Sequence, residues 1–165
     1  MILTAPAESK FSLDTIKGLM DGFDPAALLP DIQKIVHYTG LICRWSVMIA
    51  PLLLLAMGIG YLLLAPKEAN HYFGYKTYFG MGSVEAWRFT QKLAGAVLGG
   101  LGLVLTIAMM VMAGGFGGLE PMDMVWRAFR CLLWQGGLAL AANFAIHVVV
   151  FVRFNRKGDL RRKTV

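Results

Sequence analysis

The sequence predicts an all-α membrane protein, a three-transmembrane-helix bundle with an N-terminal amphipathic helical lead-in. Three observations predict it. Of 165 residues, 57% are hydrophobic and only 16% charged, an apolar share beyond that of an ordinary soluble domain. The apolar residues are blocked rather than periodic, since 45–65, 93–113 and 131–152 each lack Asp, Glu, Lys and Arg. A helix of that length is roughly 30 Å long, the hydrocarbon thickness of a bilayer, and helix is the only open-ended element lipid tolerates.

Residues 1–40 differ in composition, with Asp14, Asp21, Asp24 and Asp31 among intermittent apolar positions. They read as an extramembrane or interfacial segment. Asp24 before Pro25 is a helix-start pair, and Leu28, Leu29, Ile32, Ile35 and Val36 recur at helical spacing opposite Asp31 and Lys34. Such a helix either lies on the membrane surface and runs into the first span or packs on a partner. Ser12 to Asp21 forms a second short helical candidate. Met1 to Lys10 lacks the basic start and immediate apolar run of a cleavable leader, so the first span is expected to be retained.

The membrane domain, 41–152, contains the three spans and a polar loop at 66–92. Arg44 snorkels at the mouth of the first span, Pro51 removes a helix hydrogen bond within it, and Pro66 ends it. In the second span Gly95, Gly99, Gly102 and Thr106 form a smooth stripe for close approach of another helix. Carried backwards, the same face includes Gln91 and Trp87, which makes Ser83 an N-cap and Glu85 a favourable early acid of one long helix. The Gly114, Gly115, Gly117, Gly118 cluster ends it. In the third span Gln135, Ala139, Asn143 and His147 share one sector. That polar face hydrogen-bonds to the other spans, lines a proton or ligand path with His147 titrating, or serves self-association.

Sixteen basic residues oppose ten acids. In a soluble protein that excess would suggest nucleic acid; here it reads as topology and no nucleic-acid partner is expected. The loop and the basic tail, 153–165, hold ten Lys or Arg, against six on the other side. The positive-inside rule then places the loop and C-terminus in the cytoplasm and the N-terminus outside. Cys43 and Cys131 fall on the same side, where a disulfide is conceivable, but both read as small buried packing residues.

The loop is the most informative stretch. Tyr72, Phe73, Tyr75, Tyr78, Phe79 and Trp87 with Lys67, Lys76 and Arg88 make an aromatic and cationic belt suited to headgroup depth. Belt anchoring does not account for the placement of Asn70, Gly74 and Thr77, which favours a folded re-entrant or interfacial loop that binds something. Lys76 is the expected contact to an anionic group, Asn70 and Thr77 its hydrogen-bonding partners, and Trp87 the packing anchor. His37, His71 and His147 are isolated and neither Cys has a close partner, so no metal or cofactor is expected. The glycine runs lack the Lys-Ser or Lys-Thr of a phosphate loop. Glu68 and Glu85 read as loop solvation and helix-start charge rather than an acid/base pair, and no catalytic residue is assigned.

Within KEANHYFGYKTYFGMGSVEAWRFTQKLAG, Asn70, the run Phe73-Gly74-Tyr75-Lys76-Thr77, then Ser83, Glu85, Trp87 and Gly95 resemble the signature of the SdpI family of bacterial integral membrane proteins. That signature has an Asn ahead of Gly-Tyr-Arg-Thr, a spacer, a Trp and a small residue entering the next span. Lys76 stands where Arg is more frequent, turning a bidentate contact into a point charge. Gln91 stands where Asn or His is common, which argues against acid or base chemistry there. Residues 1–40 have no counterpart in the motif.

The resemblance implies a multi-pass protein of the bacterial cytoplasmic membrane that confers immunity or protection against a membrane-acting peptide toxin. Its implied partners are the toxin and a cytoplasmic repressor-like protein, beside the lipid bilayer. The alternative is a small transport or channel-type component, which with three spans would need a homo-oligomer. A third is a small membrane enzyme using the loop.

Overall fold

A computed structural model describes residues 25–69 and 72–161, with side chains from residue 31 onward. Asn70, the Ser12–Asp21 helix and the Asp24 cap lie outside the described residues. The described residues form three helices: α1, Pro25–Leu63; α2, Val84–Gly114; and α3, Pro121–Arg153. Each is long and apolar enough to cross a membrane. No strand occurs among the described residues, so the protein is an all-helical membrane protein.

The chain divides into two units, Met1–His37 and Tyr38–Val165. In the first, the described residues are helical from Pro25, and Lys34 pairs with Asp31 one turn away at 3.4 Å. Both side chains are exposed, so the pair contributes little.

The second unit holds the rest of the bundle. All three helices extend beyond their uncharged stretches at one end or both, because backbone hydrogen bonding continues until a cap or breaker stops it. Ser83 begins α2: its backbone is extended, and its hydroxyl accepts from the Ala86 amide at 3.1 Å. Glu85 lies in the first turn, where its charge complements the helix dipole. Pro121 opens α3 at a position where a missing N–H costs nothing.

Lipid supplies no hydrophobic force between helices, so close packing must. The glycine stripe of α2 provides it against α1. A methyl built on Gly58 would run into the Gly99 backbone, and one on Gly102 would lie 2.8 Å from the Leu55 Cα. Gly95 approaches the Gly58 carbonyl, where a Cβ would sit 2.9 Å from the oxygen. Thr106 turns its hydroxyl back to the Gly102 carbonyl at 2.7 Å and so buries no unpaired group. Large side chains such as Leu103, Val104, Ile107 and Leu140 point outward and are exposed.

At one end of the bundle, Tyr75, Ala86, Ala94, Leu98, Ile146, Val150 and Phe154 form a buried cluster. The loop between α1 and α2 and the segment after α3 both close over it. Phe154 and Leu160 form an antiparallel bridge around a tight turn in which Asn155 Oδ1 accepts from the Lys157 and Asp159 amides, each at 2.9 Å. Gly158, at φ 81°, lets that turn meet Ser83, whose hydroxyl donates to the Gly158 carbonyl at 2.8 Å. At the opposite end Cys43 and Cys131 are both buried and free.

Candidate functional site

The 64–83 loop is folded onto the helices by side chains that complete its backbone hydrogen bonds. Gln91, buried one turn beyond Trp87 in α2, accepts from the Tyr75 amide at 2.8 Å and donates to the Tyr75 carbonyl at 2.8 Å. A carboxamide is the one short side chain that offers donor and acceptor in the spacing of a peptide group. Trp87 is fully buried and donates its indole N–H to the Pro66 carbonyl at 2.9 Å. Arg88 donates Nε–H to the Lys67 carbonyl at 3.2 Å. Three side chains on the first turns of α2 thereby hold both limbs of the loop.

Gly74 is where the chain passes over the indole. Its φ of 127° suits glycine, and a Cβ there would lie 2.6 Å from the Trp87 ring and 3.1 Å from Gln91 Oε1. Thr77 is buried, and its hydroxyl accepts from the Gly80 amide at 2.9 Å, closing a turn. Gly80 has no room for a methyl, which would lie against the Thr77 and Thr90 hydroxyls.

The Tyr75 side chain carries the loop to α3. Its hydroxyl donates to Asn143 Oδ1 at 2.7 Å and lies 3.1 Å from His147 Nδ1. Its ring meets His147 edge-on at 5.6 Å and Tyr61 of α1 at 5.8 Å. One residue thus touches all three helices, α2 through the clamp. Burial, and secondly the neighbouring Tyr61, push the Tyr75 phenol above its ordinary value of 10.0. It is a neutral donor across the physiological range.

Of the polar sector in α3, Asn143 and His147 meet at Tyr75, whereas Gln135 does not join them. Gln135 is buried and donates to the Val47 carbonyl of α1 at 3.1 Å. Its Oε1 is buried without a hydrogen-bond partner among the described residues. Lys76 and Glu85 are exposed beside the clamp.

Sequence reasoning missed three contributors. Tyr61 of α1 touches both Phe73 and Tyr75; Gly58 forms the other half of the glycine contact; and the residues after α3 cover the loop. Arg161 lies 4.6 Å above the Phe151 ring, so the tail is fastened by a cation–π contact as well as by Ser83, and Arg153 at the end of α3 lies 4.3 Å above Phe89. The spacing Gly58-Ile-Gly60-Tyr61 was a local hint for the first two. Nothing local marks the tail's return.

At the clamp the Tyr75 backbone, the Tyr75 hydroxyl and the Gln91 carboxamide are all hydrogen-bonded. Comparison with protein families matches the chain to the SdpI/YfhL protein family over residues 67–153. That span is more than half of the chain and runs from the clamped loop through α2 to the last residue of α3. No curated protein and no solved structure matches the chain.

Proposed function

The chain belongs to the SdpI/YfhL protein family, and from that premise we propose that it protects a bacterial cytoplasmic membrane from a membrane-acting peptide toxin. It does so by binding the toxin or a partner protein, without catalysis, with the loop and C-terminus in the cytoplasm and the N-terminus outside. The observation that carries this reading is the pair of hydrogen bonds, one in each direction, between the Gln91 side chain and the Tyr75 backbone. It makes the loop a pre-organised surface, so that binding requires little further ordering. Lys76, Thr77 and Glu85 flank that surface, and Asn70 belongs to it by sequence.

The test is expression in a toxin-sensitive bacterium with membrane potential followed by dye fluorescence. Cells carrying the protein should keep their potential when peptide is added. Lys76→Ala should weaken that protection at unchanged membrane abundance. Failure to protect against any of a panel of membrane-active peptides would sink the proposal.

A second reading is a transport component. It is favoured by the ring of His147, which lines an apolar recess of about 220 Å³ with Thr77, Phe79 and Phe151. It predicts that His147→Leu abolishes flux while helical content is retained, and that the active form is a homo-oligomer.

A further inference from the structure

Beside the clamp, on its α1 side, a cleft of about 400 Å³ opens between the end of α1 and the start of α2. Tyr61, Leu62 and Ala65 give it an apolar wall, and Lys67, Arg88 and Lys92 supply three cations. Arg88 and Lys92 stand one turn apart on α2, and the bond from Arg88 to the Lys67 carbonyl brings Lys67 to the same cleft. Like charges at this spacing repel. None of the three pairs with an acid among the described residues; Glu85, one turn before Arg88, and Glu68, next to Lys67, both lie outside ion-pair distance. Among the described residues the repulsion is therefore uncompensated.

We propose that this cleft binds the phosphate headgroup of an anionic phospholipid, with the acyl chain lying along Tyr61 and Leu62. Two features select a lipid rather than free phosphate, and a third suits the phosphate that both share. The cations sit at the end of two membrane-crossing helices, where headgroups lie. The wall below them is apolar and continuous with the outward face of α1, on which Leu62 and Leu63 are exposed. The guanidinium of Arg88, which lines the cleft, is steadied through Nε, and its terminal nitrogens form a fork suited to phosphate. The inference does not depend on the protective role proposed above, because lipid occupancy is measured without a toxin.

The test uses the purified full chain in a zwitterionic detergent. Thermal unfolding and native mass spectrometry are followed as phosphatidylglycerol, phosphatidylcholine or inorganic phosphate is added. Phosphatidylglycerol should raise the unfolding midpoint and remain bound, and phosphatidylcholine should do neither. Each cation near a headgroup strengthens attachment about five-fold, so Lys67→Gln with Lys92→Gln should weaken phosphatidylglycerol binding roughly 25-fold. Lys157→Gln, on the tail and not lining the cleft, should leave it unchanged. If the double variant does not fold, Lys92→Gln alone is read for a five-fold loss. Equal stabilisation by inorganic phosphate, equal loss in Lys157→Gln, or no difference between the two lipids would each overturn the proposal.

Discussion

Gln91 and Tyr75, sixteen positions apart, are joined by two hydrogen bonds of 2.8 Å, one in each direction, between a side-chain amide and a peptide backbone. Both residues are buried. Gln91→Leu preserves volume and removes both bonds, leaving the Tyr75 N–H and C=O without partners. Each unpaired buried group costs about 1–3 kcal/mol, so the variant should lose roughly 2–6 kcal/mol. Gln91→Glu as a carboxylate can accept from the amide but not donate to the carbonyl, and should fall between. Unfolding in graded denaturing detergent reads the order. A Gln91→Leu protein as stable as the parent would show that the clamp holds nothing.

The phenol of Tyr75 gives a second prediction, with a pH dependence. Tyr75→Phe deletes the donor to Asn143 Oδ1 while keeping the ring contacts, and should cost about 1 kcal/mol, the scale of side-chain hydrogen bonds within membranes. In the parent, the folded-state value is raised above 10.0. The folded protein keeps this proton after the unfolded chain has released its own. The stabilisation is therefore complete below about pH 10 and declines as pH rises through the folded value. Unfolding midpoints across that range should fall more steeply for the parent than for Tyr75→Phe; parallel curves would refute it.

How much of this was legible in the sequence depends on the range of the interaction. The spans follow from charge-free length alone, and the Ser83 cap from a residue type at a local boundary, so both could be read directly. The stripe of Gly95, Gly99 and Gly102 was equally visible, but its partner was not, because any face of α1 could have met it. By sequence Gln91 is a member of the loop signature on the face that carries Trp87, and a poor acid or base. Its actual task needs both ends of an amide, and that becomes visible only once Tyr75 is placed opposite. The grouping of Gln135, Asn143 and His147 on one sector follows from helical period. Period says nothing about partners, and the three separate into one contact with α1 and two with the loop.

The tail offers a third prediction. Gly158 has φ 81°, and a Cβ there would sit 2.5 Å from the Gly82 carbonyl carbon and 2.7 Å from the Ser83 Cβ. Gly158→Ala meets both a conformational and a steric penalty, the first alone about 1–2 kcal/mol. The 155–161 segment should detach locally while Phe154 stays in the buried cluster and the bundle stays folded. Trypsin should then cut at Arg156 and Lys157 several-fold faster than in the parent, with helical circular dichroism unchanged. Ser83→Ala should show the same acceleration together with a loss of about 1 kcal/mol from the missing cap.

The contact between α1 and α2 yields the last prediction, because its two glycines are not equivalent. A methyl on Gly58 would collide with the Gly99 backbone, which cannot move without shifting α2. A methyl on Gly99 would lie 3.4 Å from the Gly58 Cα, at the edge of ordinary contact, and one on Gly100 would meet nothing within 4 Å. Overpacking at a backbone contact costs about 1–3 kcal/mol, and Gly58→Ala should lose that much. Gly99→Ala should lose distinctly less, and Gly100→Ala should match or exceed the parent, since alanine favours helix by up to about 1 kcal/mol. Stability in detergent of the three single variants gives the ranking. Equal losses at Gly58 and Gly99 would mean that the helices separate readily at this point and that the stripe is not what joins them.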